Sequence, residues 1–257
     1  VNTPAPGTPL PTYEGGNRLL DALDDAERET IAAQVFVIDL LSGAVTHEFG
    51  VEDAWVYFPI DCVLSVVATL EDGQGCEVGT IGNEGASGIP IAFGARVFRT
   101  TICQVAGRTG RLSIEAFGEF FQRFPMFRDI VFASEDARSF FVEQLVVCNT
   151  IHTIGKRCAR WLLSLADRKE SDTYELTHEY LSFMLGVRRP SVTLAERRLR
   201  DLGAITYRYG IIRIVDRALL ESLACECYRT AADNFRRSID ASREIHDTPE
   251  RPFTLRS

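Results

Sequence analysis

The 257-residue chain has no apolar run approaching the roughly 18–20 residues of a membrane-spanning helix. No basic-then-apolar leader precedes its first helical pattern. A soluble, cytoplasmic protein with no membrane partner is expected. Residue 1 is Val, so either the start codon was read literally or some N-terminal sequence is missing. Histidine is scarce, and His47, His152, His178 and His246 form no cluster in the sequence. There is no Gly-x-Ser-x-Gly elbow and no paired acid–base signature, so the expectation is no enzyme and no catalytic residue. No cysteine precedes Cys62, and the odd set Cys62, Cys76, Cys103, Cys148, Cys158, Cys225 and Cys227 reads as reduced thiols. Cys225 and Cys227 are two apart and would diverge on a helix. Ligand count and spacing thus give no metal. No fixed period recurs, which excludes a repeat array.

Lysine is absent from the one strongly basic stretch. Residues 186–213 hold Arg188, Arg189, Arg197, Arg198, Arg200, Arg208 and Arg213 against only Glu196 and Asp201, in a chain of net charge −8. Arginine suits bidentate contacts to phosphate or guanine edges. Around these residues the pattern predicts a short helix capped by Thr177, with Glu179 in its first turn and Leu181, Met184 and Leu185 inward. Gly186 stands where a left-handed turn residue is wanted. A second helix starts near Arg189, with Pro190 tolerated in its first turn. Val192, Ala195, Leu199 and Leu202 should face inward; Arg189, Thr193, Glu196, Arg197 and Arg200 fall on the opposite face. Gly203 ends this helix, and residues 205–207 and 211–214 alternate around Arg208-Tyr209-Gly210 as a two-stranded wing. Two helices alone are equally compatible with a helical hairpin bearing a solvated charged face. The concentration of arginine decides for a DNA-reading helix-turn-helix.

The row LSFMLGVRRPSVTLAERRLRDLGAI, a Gly-containing hairpin and then IVDRALLESLA resemble the C-terminal winged helix of the Crp/Fnr transcription regulators. The likeness spans about residues 19–228, strongest over the winged helix. It implies an α+β fold: an N-terminal antiparallel β-roll of the double-stranded β-helix type, a long dimerisation helix and a C-terminal winged helix-turn-helix. The implied function is sequence-specific DNA binding as a homodimer on a palindrome, with RNA polymerase as a further partner and control by a signal at the roll. The alternative is a cyclic-nucleotide or small-anion binding module without DNA activity, which has no need of the arginines. The position of Arg189 is commonly a guanine-reading Arg in that family, and Pro190 replaces its usual Glu, so the usual half-site does not carry over. Arg188, Ser191 and Thr193 complete the groove-facing start. Arg197, Arg198, Arg200, Arg208 and Arg213 are assigned to phosphate, with Thr177 and His178 touching the backbone from the first helix.

Residues 1–150 hold nine Arg and 21 acids, whereas residues 151–228 hold 13 basic residues and ten acids, so an acidic module precedes a basic one. The division expected is a flexible Pro-rich arm at 1–17 and a roll of short strands at 18–125. A dimerisation helix at 126–150, the winged helix at 151–228 and a mobile tail at 229–257 follow. Phe127, Ile130, Ser134, Ala137, Phe141, Leu145 and Cys148 form a seam suited to a second copy; packing on the chain's own roll is the alternative. In the roll, IGNEGASGIP followed by Arg99-Thr100 resembles the family's nucleotide cassette. Carried over, Glu84 between Gly82 and Gly85 accepts the ribose, and Arg99 with Thr100 grips a phosphate. The acid is shifted relative to the usual Gly-Glu pair, and residues 89–98 run long. Turn glycines and a surface Arg explain the same residues, so no cofactor is expected, with a cyclic nucleotide as the alternative.

Overall fold

The computed structural model describes residues 12–169 and 171–247. Asn17 caps the start of α1 (Arg18–Asp21), its side-chain oxygen accepting from Leu19 and Leu20 N–H, and Asp24 caps α2 (Asp25–Ala32). The flexible arm expected before α1 is corrected over residues 12–17, which are tied down. Thr12 bridges to Phe36, Tyr13 is buried with its hydroxyl 2.8 Å from Asp21, and the Asn17 amide donates to Pro59 and Gly85 carbonyls. Residues 1–11 lie outside the described residues.

Seven strands follow: β1 (Phe36–Leu40), β2 (Val45–His47), β3 (Trp55–Pro59), β4 (Val63–Thr69), β5 (Gly75–Ile81), β6 (Thr100–Val105) and β7 (Gly107–Ser113). They form two antiparallel sheets, β1-β7-β3 and β2-β6-β4-β5. Leu40 and Tyr57 of the first sheet share a buried cluster with Leu64, Ile81 and Cys103 of the second, so the sheets close on each other as a roll. A 3-10 turn, Ile89–Phe93, packs through Ile89 into the cluster that holds Phe58 and Phe117. α3 (Ile114–Arg123) and the long α4 (Pro125–Ile151) continue from β7. Phe58, Phe117, Phe120 and Phe127 are fully buried where they meet. Burying each such ring stabilises the fold by about 1.5–3 kcal/mol.

The seam on α4 exists, but its occupant differs from the one expected. Phe127, Ile130, Ser134, Ala137, Phe141, Leu145 and Cys148 are all buried within the chain itself. The upper part lies on the roll's core. The lower part is covered by α9 (Cys227–Asp247), whose Ala231 and Phe235 pack on Phe141 and Leu145. The helix returns antiparallel along α4, with Cys227 beside Cys148 and His246 3.0 Å from Asp129. A mobile tail from residue 229 is therefore corrected as far as residue 247. Residues 248–257 lie outside the described residues.

Between α4 and α9 sits the winged module: α5 (Ile154–Lys169), β8 (Thr173–Glu175), α6 (His178–Leu185), α7 (Arg189–Asp201), β9 (Ile205–Arg208), β10 (Ile211–Ile214) and α8 (Arg217–Leu223). Its three strands form an antiparallel sheet in the order β8-β10-β9. Leu162, Leu181, Val192, Ile212 and Leu220 make its core, and Val63 of the roll joins the same cluster. Polar ties reinforce that junction. Trp161 Nε1 donates to Glu77 (2.9 Å), Arg168 Nε to Glu84 (2.7 Å), and Lys169 Nζ to the Asp61 and Ala106 carbonyls. Among the described residues no helix is long and apolar enough to cross a membrane.

Candidate nucleic-acid interface

The interface begins with a cap. Thr177 Oγ1 accepts the Tyr180 N–H (3.1 Å) and so fixes the start of α6. The helix ends at Gly186, whose φ of +61° is the left-handed conformation that lets the chain turn within three residues into α7. That glycine also lies close to the roll, since a Cβ there would stand 3.2 Å from Cys76. Arg188 is the N-cap residue of α7 without a side-chain bond, and Pro190 occupies the first turn. Val192, Ala195 and Leu199 are buried as the spacing requires.

Two positions depart from that expectation. Leu202, expected inward, is 48% exposed, because α7 stops at Asp201 and the inward stripe stops with it. Glu196, expected on the solvent face, is only 2% exposed. It lies on the edge of the inward stripe, where Arg200 Nη1 reaches its carboxylate at 3.4 Å and His178 Nε2 lies 3.6 Å away. The His178 ring stacks on Tyr207 at 4.6 Å, and its Nδ1 lies 3.3 Å from Thr193 Oγ1. These contacts tie the first residue of α6, the middle of α7 and the wing into one unit.

Outward from this unit, Thr177, Arg188, Arg189, Thr193, Arg197, Arg198 and Arg208 are exposed and Ser191 is half-buried. The Thr193 hydroxyl also donates to the Arg189 carbonyl. Arg197 and Arg200 reach Asp201 at 3.6 and 4.0 Å, whereas Arg188, Arg189, Arg198, Arg208 and Arg213 form no ion pair among the described residues. Exposed cations without internal partners keep their charge available to an anionic surface. At the wing, Arg208 pairs with Ile211 across a two-residue turn, and Tyr209 (φ +53°) and Gly210 (φ +80°) both take the left-handed conformation of a type I′ turn. The Tyr209 side chain is fully exposed at the tip. Its place in the turn is readable in the sequence, where Tyr-Gly stands for the usual Asn-Gly, whereas its full exposure at the tip is not.

The expected effector residues divide. Glu84 is buried and held by Arg168 of α5, with a second bond from Gly82 N–H. Gly82 is required there, since a Cβ would lie about 2.5 Å from Arg168 side-chain carbons. The Gly85 carbonyl accepts from Asn17, and Thr100 Oγ1 accepts from Phe49 N–H. Arg99 lines a separate cavity of about 170 Å³ with Arg96, His47, Thr101, Glu135 and Arg138. Two of its polar groups are already matched, His47 by Asp53 at 2.8 Å and Arg138 by a bidentate pair with Glu135. Glu84 and Arg99, expected in a single cassette, thus line two different cavities.

A further correction concerns the thiols. Cys225 lies in the turn before α9 and not on a helix, so it and Cys227 do not diverge. With Cys148 and His152 they form a cluster whose four ligand-type atoms all lie within 4.8 Å of one another.

Residues 156–223 match the family described as the Crp-like helix-turn-helix domain. No curated protein sequence matches the chain. Among solved structures, a CRP-family transcriptional regulator from Thermus thermophilus is 22% identical, covering 73% of this chain and 96% of its own, with a TM-score of 0.60. FixK2 from Bradyrhizobium japonicum is 13% identical over 74% of this chain and 98% of its own, at a TM-score of 0.64. The c-di-GMP responsive global regulator CLP from Xanthomonas campestris is 16% identical over 74% and 99%, at 0.60. The chain has the fold these regulators share, and it carries their type of helix-turn-helix domain.

Proposed function

We propose that this chain, which carries a Crp-like helix-turn-helix domain at residues 156–223 and has the fold of the Crp/Fnr regulators, is a sequence-specific transcription regulator that binds a two-fold symmetric DNA site as a homodimer. The observation that carries the reading is the exposed start of α7, where Arg188 and Arg189 stand without internal partners beside Ser191 and Thr193. Arg189 reads a guanine through O6 and N7, and Arg197, Arg198, Arg208 and Arg213 hold phosphates. Tyr209 reaches the backbone from the wing tip.

The homodimer uses the outward face of α4, since the inward seam is filled. Phe132, Ser139 and Val146 recur there every seven residues, and Phe132 and Val146 are 60% and 63% exposed. A signal at the roll reaches the winged helix through the Glu77–Trp161 and Glu84–Arg168 contacts. RNA polymerase is the onward partner. A cyclic nucleotide is not favoured as that signal: Glu84 is already paired with Arg168, and Arg99 lines a different cavity from the one Glu84 lines.

Binding-site selection from random duplex DNA with the purified protein tests this reading. The expected product is a palindrome with half-sites about one helical turn apart. Failure to enrich any sequence, with and without cyclic nucleotides, contradicts it.

A further inference from the structure

We propose that Cys148, His152, Cys225 and Cys227 form a structural metal site for a single thiophilic divalent ion, zinc above all. The two halves come from opposite ends of the winged module. Cys148 lies on the last turn of α4, and His152, four residues on and so on the same helix face, is its C-cap. Cys225 lies in the turn after α8, and Cys227 is the first residue of α9.

The spacing fits one ion. Bond lengths of about 2.3 Å to sulfur and 2.0–2.1 Å to nitrogen give a tetrahedron with edges of about 3.4–3.8 Å. Cys148 Sγ and Cys225 Sγ are 3.5 Å apart, as are Cys227 Sγ and His152 Nδ1. All six separations among the four atoms fall within 4.8 Å. That is too compact a set to surround a polynuclear iron–sulfur cluster. The four residues supply the Cys₃His donor set of closed structural sites.

The surroundings match a bound ion as well. All three cysteines are buried, and the His152 side chain is 11% exposed. With Nδ1 turned to the sulfurs, His152 Nε2 lies 3.5 Å from the Glu226 carboxylate, the outer partner that orients a ligating imidazole. Gln144 Nε2 donates to Cys227 Sγ at 3.1 Å, a bond that suits a thiolate. The consequence is mechanical. One ion would fasten the start of α9 to the end of α4, immediately before α5 begins, and so fix the module at its root. This inference does not depend on the DNA reading.

Cobalt(II) titration of the reduced, metal-free full chain, followed by absorbance, tests it alongside elemental analysis of the protein as purified. The expected result is one equivalent per chain with the d–d and thiolate charge-transfer bands of tetrahedral cobalt, and zinc in the purified protein. Cys148→Ser and Cys227→Ser lose stoichiometric binding, while Cys62→Ser, in the roll, keeps it. Because ligand variants can fail to fold, Glu226→Gln supplies a gentler probe: cobalt affinity falls about 10–100-fold with the spectrum unchanged. Absence of the tetrahedral spectrum in the wild-type chain overturns the proposal. So does iron with labile sulfide, or stoichiometric binding that survives Cys148→Ser and Cys227→Ser.

Discussion

Tyr209 sits in the left-handed conformation, where a non-glycine residue costs about 1–2 kcal/mol. Asparagine accepts that conformation more readily, so Tyr209→Asn should stabilise the chain by about 1 kcal/mol in thermal denaturation. The same variant should weaken DNA binding in titration, which would show why a strained residue is kept at the wing tip. Glu77 is a second informative side chain. Burial pushes its carboxyl up, opposed by hydrogen bonds from Ser65 and Trp161. An acid whose folded pKa is raised holds its proton longer in the folded state. Its contribution is therefore full at low pH and falls as pH rises from the unfolded value, about 4.3, towards the folded one. Glu77→Gln should remove that decline, seen as a flatter melting temperature across the acidic range; an unchanged pH profile would contradict the assignment. At this scale the recognition stretch was legible because Thr177, Gly186 and Pro190 each have one strong local reason for their place. Glu196 was not, since its burial depends on His178 and Arg200 closing over it. The thiol cluster was hidden because it joins distant parts of the chain, and because Cys225 precedes the helix instead of lying on it.

Along the elements, periodicity revealed which face of α4 is covered but not by what. The seam residues recur at three and four, as they would against a partner helix, and α9 of the same chain takes that place. Cys227, Ala231, Phe235 and Ile239 step by four along α9, yet small and polar neighbours dilute the stripe and make the sequence look like a tail. β7 was obscure for a related reason. It is the central strand of its sheet, but its buried residues include Thr109, Gly110 and Arg111, the last stacked over Trp55 at 4.4 Å. With the inward seam filled, the proposed dimer uses the outward face. Phe132→Glu should weaken the dimer by about 2 kcal/mol or more, read by light scattering over a range of protein concentration, with helix content unchanged. A dimer of undiminished strength would place the interface elsewhere.

For the whole molecule, the division of charge was the most legible feature: an acidic roll and a basic winged module, whose arginines from Arg188 to Arg213 are exposed. The docking of the two was not legible, because it rests on single long-range pairings. The Glu84–Arg168 pair, with each side chain 10% exposed, is the chief example. Arg168→Met should strand the Glu84 carboxylate and cost about 3–5 kcal/mol in chemical denaturation. Adding Glu84→Leu should recover much of the loss; no recovery would mean that the pair is not what joins the modules.

The central claim is that the start of α7 reads DNA bases while the surrounding arginines hold the backbone. It is tested most directly by measuring the affinity of wild type, Arg189→Ala and Arg198→Ala for the selected site and its single-base variants over a range of salt. The account predicts that Arg189→Ala loses about 1–3 kcal/mol and its discrimination at one base pair per half-site. Arg198→Ala should weaken every sequence alike and lower the salt slope by about one for each phosphate no longer neutralised. Equal, sequence-independent losses from both changes, or none from either, would contradict it.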